Sequence, residues 1–252
     1  MHIHHEAVHH EATGSGPAVL LTHGFAASSH MFASTVADLS TDHTAIVWDM
    51  LGHGSSDSPE DPAAYSVTTF LDSMLAILDD VGVEQAVMLG HSLGGYLSLE
   101  MAIAHPERTA ALVLVDTGPG FRNDAARDGW NEMAEGYARD LDERGLGGLP
   151  GSDELSANVH RSAEGLALAA RGVLRQSDGH VLEALASIDV PTLVVVGERD
   201  KPFLNGSRYM ADKIPNATLA EIDGAAHAPP VSHPDEFNAA LRSFLDGLEG
   251  DR

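Results

Sequence analysis

The sequence predicts an α/β fold in which helices cover both faces of a doubly wound, mostly parallel sheet. Two observations predict it. Short runs of the chain are continuously apolar rather than alternating, which is typical of strands buried on both faces. Longer stretches with helical spacing of their apolar residues lie between these runs, and such alternation favours a parallel sheet. With 252 residues, the chain is long enough for one large domain with a sizeable core.

Six apolar runs are the expected strands. They are residues 18–21, 44–48, 86–89, 110–115, 192–196 and, with the weakest pattern, 217–222. Each of the first five ends directly before a threonine, an aspartate or a glycine. Because open α/β sheets place their active sites at the carboxyl ends of their strands, the turns after these runs are the first candidates for function.

Helices are expected between the strands. Residues 66–81 carry a stripe of apolar side chains at helical spacing, and residues 92–105 carry a similar stripe that stops at Pro106. Residues 234–248 form the expected C-terminal helix, with a proline near its start.

The stretch 117–187 interrupts this alternation. It holds no convincing buried strand, but it has glycine-rich joints around residues 145–151 and helical patterns at 129–143 and 163–174. We therefore predict a core formed by residues 1–116 and 188–252, and a helical insertion, residues 117–187, that packs over the edge of the sheet.

Composition and charge narrow the possible partners. The chain has 14 Lys and Arg against 38 Asp and Glu, a formal net charge of −24. Such a chain repels phosphate backbones and anionic membranes, so we expect neither nucleic acid nor a membrane as a partner. Cysteine is absent, which excludes disulfides and thiolate catalysis. Together with the lack of a recognisable secretory signal, this predicts a cytoplasmic protein that acts on a small molecule.

A candidate nucleophile lies in the sequence Gly90-His91-Ser92-Leu93-Gly94. This segment follows an apolar strand and opens an amphipathic helix, the context in which the pattern G-x-S-x-G indicates a nucleophilic serine. The turn is tight, and flanking glycines lack the Cβ atoms that would clash there. The alternative is a glycine-rich turn whose serine only caps the helix.

A serine hydroxyl is a weak nucleophile at neutral pH, so it needs a base that a third group orients. His227 follows the last expected strand and is the candidate base. The alternative is His233, although it precedes Pro234 at a helix start and looks like a cap.

Asp200, on the loop after run 192–196, is the candidate acid. The resulting chain order of Ser, Asp and His is the order that this type of elbow requires. Asp116, Asp223 and Glu198 are alternative acids, and Asp200 could instead cap the helix that follows it.

Acyl transfer also needs donors for the developing oxyanion. The backbone N–H of Leu93, directly after the nucleophile, is one candidate. The loop after the first central strand should supply the other, which points to the N–H of Phe25 beside the turn at Gly24. The His23 side chain is expected to be buried and to shape this loop.

Together these segments resemble the α/β-hydrolase superfamily over nearly the whole chain. The matching segments are residues 23–25, 49–57, 90–95, 197–200 and 224–227. The resemblance implies a triad of Ser92, Asp200 and His227, oxyanion donors at Phe25 and Leu93, a cap at residues 117–187, and a structural role for the Asp49 segment. It also implies that no cofactor and no metal are needed. The chain departs from the family at Ala226, where relatives often have glycine, and at residues 232–234, where they often have glutamate.

Serine at the elbow distinguishes the chain from relatives that carry aspartate there, such as epoxide hydrolases and haloalkane dehalogenases. It favours cleavage of a carboxylic ester through an acyl-enzyme. A lactonase or a carbon–carbon bond hydrolase with the same triad is the nearest alternative, and a ligand receptor on the hydrolase fold is an alternative of another class. Phe121, Trp130, Met133 and Tyr137 are candidate walls of the substrate pocket, or else the core of the insertion itself.

The histidine-rich start of the chain, residues 2–10, raises the possibility of a metal site. We interpret these histidines instead as part of an exposed edge strand or of an added tag, and we expect no metal there.

Overall fold

The computed structural model describes residues 8–149 and 160–250. Their centre is a seven-stranded sheet in the order β1-β3-β2-β4-β5-β6-β7. The strands are β1 (His10–Gly14), β2 (Ala18–Thr22), β3 (Thr44–Trp48), β4 (Ala86–His91), β5 (Thr109–Val115), β6 (Thr192–Gly197) and β7 (Ala217–Ile222). All neighbours pair in parallel except β1, which is antiparallel to β3. The predicted fold class is confirmed.

The central strands divide their side chains between two apolar layers. Leu20, Met88 and Val194 belong to one buried cluster, while their neighbours Leu21 and Leu89 belong to the other. Since successive side chains of a strand point to opposite faces, both faces are buried, and this explains why the runs are continuously apolar.

The edges of the sheet gave weaker sequence signals for a physical reason. β1, which was not among the six predicted apolar runs and begins at the end of the histidine-rich stretch, is exposed over most of its length and is defined by its pairing with β3. β7 is also largely exposed, so its sequence needs fewer apolar residues than a central strand.

Helices cover both faces of the sheet. Outside the 117–187 segment they are α1 (Ala33–Leu39), α2 (Val67–Val81), α3 (Leu93–Ala104), α7 (Lys201–Lys213), α8 (Pro229–Ser232) and α9 (Pro234–Gly250). The start of α2 follows from Ser66, whose hydroxyl accepts the N–H of Thr69. Its end follows from Gly82, which adopts the left-handed conformation at φ 79°.

The described parts of the 117–187 segment contain helices and no strand. These helices are α4 (Asp124–Arg144), α5 (Ala163–Arg171) and α6 (His180–Ala184). α4 begins five residues before the expected stretch because the Asn123 side chain accepts the N–H groups of Ala125 and Ala126. Arg171 of α5 forms ion pairs with Glu135 and Asp142 of α4. The division into core and insertion stays a prediction.

In the part of the chain that the structure describes, no helix has the length and apolar character needed to cross a membrane.

Candidate active site

The turn between β4 and α3 consists of one residue, Ser92, whose backbone is strained. Its φ of 52° and ψ of −115° lie in a region that costs a residue with a side chain about 1–3 kcal/mol. The N–H of Ser92 donates to the carbonyl of Val115 at 2.9 Å, and the N–H groups of Gly95 and Tyr96 donate to the Ser92 carbonyl. The Ser92 side chain forms no capping hydrogen bond, so the hydroxyl is left beside the cavity that it lines.

Three glycines let the neighbouring segments approach this turn. A Cβ atom on Gly90 would lie 2.1 Å from the carbonyl oxygen of Gly94, and one on Gly94 would lie 2.1 Å from that of Thr22. A Cβ atom on Gly24 would lie 3.1 Å from Cβ of Ser92. The glycines are therefore required by close packing of β2, β4 and α3, which brings the loop after β2 against Ser92.

His227 and Asp200 form a hydrogen-bonded pair at the same edge of the sheet. Nδ1 of His227 donates to Oδ2 of Asp200 at 2.7 Å, since a carboxylate accepts. Asp200 is 5% exposed and His227 is 36% exposed. Asp200 occupies the N-cap position of α7 but makes no capping hydrogen bond there. The pair uses Nδ1 and leaves Nε2 of His227 without a hydrogen bond in the described chain.

The described hydrogen bonds of the His227 side chain do not include one to the Ser92 hydroxyl. The hydrogen bonds of His227 are the one to Asp200 and one at its carbonyl, and within the described chain none joins it to the Ser92 hydroxyl. Such contacts often form only when a substrate is bound. The ring of Phe203, which lines the same cavity as Ser92, stacks on the His227 ring at 4.9 Å.

Two of the alternative acids, Asp116 and Glu198, accept backbone N–H groups, and the third, Asp223, is exposed. Oδ1 of Asp116 accepts the N–H of Gly197 at 2.9 Å, although carboxylate oxygens of Asp116 and Asp200 and a ring nitrogen of His227 lie within 4.8 Å of one another. Glu198 accepts the N–H of Gly224 at 3.2 Å, and Asp223 is exposed.

The alternative base is occupied locally. Nδ1 of His233 is hydrogen-bonded to the hydroxyl of Ser232 at 2.9 Å, and no ion pair joins it to a carboxylate within the described chain.

Asp116, Asp200 and His227 are also the one set of close acidic and imidazole groups in the described chain that could hold a metal ion. Their hydrogen bonds, to Gly197 and between His227 and Asp200, already explain why they lie together, so we assign no metal to them. Of the N-terminal histidines, His2, His4 and His5 lie outside the described residues. His10 is hydrogen-bonded to Asp80 at 3.0 Å, and His9 lies 3.5 Å from Glu11.

The two candidate oxyanion donors flank Ser92. Leu93 is the first residue of α3, and Phe25 follows Gly24 in the loop after β2. His23 fixes this loop: the N–H of Met50 donates to Nε2 of His23 at 3.0 Å, so Nδ1 carries the hydrogen and donates to the Gly24 carbonyl at 2.7 Å. Burial lowers the pKa of His23 to about 4, which keeps the ring neutral.

A second layer of buried groups supports the same loop. Oδ1 of Asp49 accepts the N–H of Ser29 at 2.7 Å, and Oδ2 accepts the N–H of Ser55 at 2.8 Å. His160, from the 117–187 segment, accepts the N–H of Gly54 and donates to the Ala26 carbonyl, both at 3.1 Å. The Asp49 carboxylate therefore binds two backbone segments and holds them together. His160 connects the 117–187 segment to the loop that carries Phe25.

No sequence motif indicated a role for His91, the residue before Ser92. Its Nε2 donates to the carbonyl of His227 at 2.6 Å, and its ring lies 4.8 Å from the His227 ring. A Cβ atom on Gly24 would lie 2.8 Å from Nδ1 of His91. Burial lowers the pKa of His91 to about 3, so the ring is neutral. His91 thus contacts both His227 and the loop at Gly24.

A cavity of about 630 Å³ opens beside Ser92, within the usual range for small-molecule sites. Most of its lining is apolar. The apolar side chains of the lining include Leu93, Phe121, Trp130, Met133, Val173, Leu174, Leu182, Pro202 and Phe203. The aromatic rings form a continuous series, since Trp130 packs on Phe121 at 5.9 Å and on Phe203 at 6.3 Å.

Three of the four candidate pocket residues line this cavity, and Tyr137 does not. The Tyr137 ring instead stacks on Phe25 at 5.8 Å. Tyr137 shares a face of α4 with Trp130, but seven residues of helix separate them by about 10 Å along its axis. Tyr137 therefore packs against the loop that carries Phe25 rather than forming part of the cavity wall.

A hydrogen bond connects α3, which contributes to the cavity lining, to the 117–187 segment. Tyr96, which lines the cavity, is partly buried, and this burial and the neighbouring Glu100 both raise its pKa. Glu100, itself 6% exposed, binds Nε2 of His180 at 2.9 Å. Burial acts to lower the pKa of His180, but the hydrogen bonds and charges of Asp178 and Glu100 outweigh it and raise that pKa. This network fixes α6 against α3.

The comparisons with known proteins show the family to which the chain belongs. A family model described as alpha/beta hydrolase fold matches residues 17–154. The putative carbamate hydrolase RutD of Pseudomonas syringae pv. syringae (strain B728a) is 30% identical over 265 residues, covering 97% of this chain and 98% of its own. The pimeloyl-[acyl-carrier protein] methyl ester esterase of Chromobacterium violaceum is 30% identical over 256 residues, covering 94% of this chain and 97% of its own.

Solved structures give the same result. A thermophilic esterase from Thermogutta terrifontis superimposes with a TM-score of 0.79 at 26% identity, covering 96% of this chain and 93% of its own.

Proposed function

The chain belongs to the α/β-hydrolase family, and on that premise we propose that it hydrolyses carboxylic esters through an acyl-enzyme on Ser92. The observation that carries the proposal is the 2.7 Å hydrogen bond between His227 and Asp200, beside a strained serine at the strand–helix turn. This bond selects the tautomer in which Nε2 of His227 is a base. Serine at the elbow supports acyl transfer, and two of the relatives named above are esterases by name.

The first half of the reaction transfers the acyl group to the protein. Nε2 of His227 takes the proton of the Ser92 hydroxyl while Oγ forms a bond to the ester carbonyl carbon. The tetrahedral intermediate then re-forms its carbonyl and expels the alkoxide. His227 returns its proton to the alkoxide, and the alcohol leaves. The Asp200 carboxylate holds the ring and stabilises the imidazolium between these two steps.

The second half returns the serine. His227 removes a proton from a water molecule whose oxygen bonds to the acyl carbon. The bond from that carbon to Oγ breaks, Oγ recovers the proton from His227, and the carboxylic acid leaves. In both halves the N–H groups of Phe25 and Leu93 donate to the oxyanion, and one such donor is worth about 10²–10³ in kcat.

The proposal is tested with p-nitrophenyl acetate and butyrate and with a fluorophosphonate probe that modifies nucleophilic serines. We expect turnover far above the rate in buffer, and a single adduct on Ser92 whose formation abolishes that turnover. Absence of turnover across short and medium acyl esters, or loss of activity with the adduct on another residue, contradicts the proposal.

The same assay separates the alternatives. Lactones opened faster than matched open-chain esters would identify a lactonase. Cleavage of diketones with no ester cleavage would identify a carbon–carbon bond hydrolase. Saturable binding of an ester without turnover would identify a receptor.

His91 provides a sharper test of how the base is positioned. Methionine at position 91 removes the donor to the His227 carbonyl, whereas glutamine, with an unbranched stem like that of methionine, keeps a donor near the place of Nε2. Because a shift of about 1 Å in a reacting group can cost up to 10²-fold in rate, we expect His91→Met to lower kcat roughly tenfold with little change in KM. We expect His91→Gln to recover most of that loss.

Steady-state kinetics on the butyrate ester and the midpoint of thermal unfolding check this result. If His91→Met and His91→Gln lose kcat equally, the His91 side chain acts through packing alone and the hydrogen bond to His227 has no part in positioning.

A further inference from the structure

The cavity beside Ser92 carries one charged side chain, and it is a cation. Among the described residues that line the cavity, Arg122 is the only charged side chain, and none is aspartate or glutamate. The whole chain has 38 acidic residues against 14 basic ones. A carboxylate-free lining therefore differs from the composition of the chain, and it removes the repulsion that an anionic ligand would meet elsewhere on this protein.

Arg122 has no partner among the residues that the structure describes. Its side chain is exposed, and within the described chain it forms neither an ion pair nor a hydrogen bond. Nearby arginines differ in this respect: Arg127 pairs with Asp124 and also donates to the Phe121 carbonyl at 3.1 Å, and Arg171 pairs with two carboxylates of α4. The guanidinium of Arg122 is therefore available to a ligand.

The rest of the lining indicates the chemical character of a ligand that would extend from Ser92 to Arg122. Ser92 and Arg122 both line the cavity, and Arg122 follows Phe121, another lining residue, in the chain. Phe121 and Trp130 form an apolar wall, and the indole N–H of Trp130 is already used by the Leu174 carbonyl at 2.8 Å. A ligand that fills the cavity would place a reactive carbonyl at Ser92, an apolar body along this wall and its remote end at Arg122.

We propose that Arg122 determines specificity by binding an anionic group, a carboxylate or a phosphate, at the end of the ester remote from the scissile carbonyl. A guanidinium binds either group through two parallel hydrogen bonds. The inference rests on the proposed ester hydrolysis and names its substrate class, an ester with an apolar middle and an anionic end. The hydrolysis itself proceeds as described above, because Arg122 makes and breaks no covalent bond.

The test compares matched pairs of methyl esters in the wild type and in Arg122→Gln. Methyl heptanoate is paired with the monomethyl ester of the straight-chain dicarboxylic acid of the same length, which places the anion on the acyl side. A second pair consists of the heptanoate esters of an alcohol with and without a terminal carboxylate, which places the anion on the alcohol side. The heptanoate ester of a phosphate-terminated alcohol tests phosphate as the anion. We expect the wild type to favour an anionic member over its neutral partner in kcat/KM.

Arg122→Gln is expected to lower kcat/KM for the favoured anionic ester roughly five- to tenfold. The loss should appear mainly in KM, with the neutral ester changed by less than about twofold. Arg175→Gln is the matched control, because Arg175 is an exposed cation of the same segment that does not line the cavity. It removes the same charge and is expected to leave both esters unchanged. Raising the salt concentration should reduce the preference for the anionic ester, because screening weakens exposed ion pairs.

Equal losses in Arg122→Gln and Arg175→Gln would overturn the inference, since they would reflect only the net charge of the protein. Equal losses on charged and neutral esters in Arg122→Gln would overturn it too, as would a wild type that prefers the neutral esters. In these cases the proposed function stands so long as the neutral esters are hydrolysed by the wild type and not by Ser92→Ala. Absence of turnover on every ester would instead remove the proposed function, and the inference with it.

Discussion

Replacing Ser92 by alanine is expected to lower kcat for ester hydrolysis by about 10⁴-fold or more, because no other group can form the acyl-enzyme. Alanine adopts the strained φ of 52° at this position with the same difficulty as serine, and the Ser92 hydroxyl makes no capping bond. We therefore expect the free energy of unfolding to stay within about 1 kcal/mol of the wild type. Measurement of kcat on p-nitrophenyl butyrate beside thermal unfolding separates the two effects.

Ser98→Ala is the control for this variant. Ser98 lies on the same helix, and its hydroxyl donates to the Gly94 carbonyl at 2.9 Å rather than facing the cavity. It is expected to keep turnover within a few-fold of the wild type. Residual activity in Ser92→Ala close to that of Ser98→Ala would rule out Ser92 as the nucleophile.

Asp200→Asn is expected to give the second-largest loss, about 10³–10⁴-fold in kcat. The asparagine has nearly the same shape, but it loses the negative charge that stabilises the imidazolium, and its amide can turn its N–H₂ toward His227. His227 would then hold its hydrogen on Nε2, where it cannot accept the serine proton. Ester turnover as a function of pH, with unfolding monitored in parallel, measures the effect.

Asp116→Asn tests the competing acid with the same chemical change. Asp116 accepts the N–H of Gly197, and asparagine keeps an oxygen for that bond. We expect it to lower kcat no more than about tenfold. A larger loss in Asp116→Asn than in Asp200→Asn would transfer the role of the acid to Asp116 and refute the present assignment.

The sequence determined the core of the fold because apolar patterning and helix capping are both local signals. The six apolar runs became strands β2 to β7, and α2, α3 and α9 begin and end within two residues of their expected bounds. Caps and left-handed glycines act over a few residues, as Ser66 and Gly82 do at the ends of α2. The candidate nucleophile was visible for the same reason, since the strand, turn and helix around Ser92 are contiguous in the chain.

Where local signals were weak, the tertiary structure decided the outcome. β1 exists through its pairing with β3, which no pattern in residues 10–14 indicates. α4 starts at its Asn123 cap, whereas Gly129 inside it suggested a later start. Tyr137 has the helical spacing of a pocket residue, yet the length of α4 places it against Phe25. For β1 and Tyr137 the deciding contact lies outside the window in which periodicity is measured, whereas the Asn123 cap of α4 is local.

The arrangement around Ser92 depends on the same kind of distant contact. The sequence predicted Ser92, Asp200 and His227 by their places after strands, but it could not exclude Asp116, which follows the neighbouring strand, as the acid. Nor could it give a role to His91, whose partner His227 is 136 residues away, or to Arg122. Strand order brings these groups to one edge of the sheet, and side-chain packing then selects which of them meet. Sequence periodicity reports which face of an element is buried, whereas hydrogen-bond partners and cavity walls depend on how the elements are placed in space.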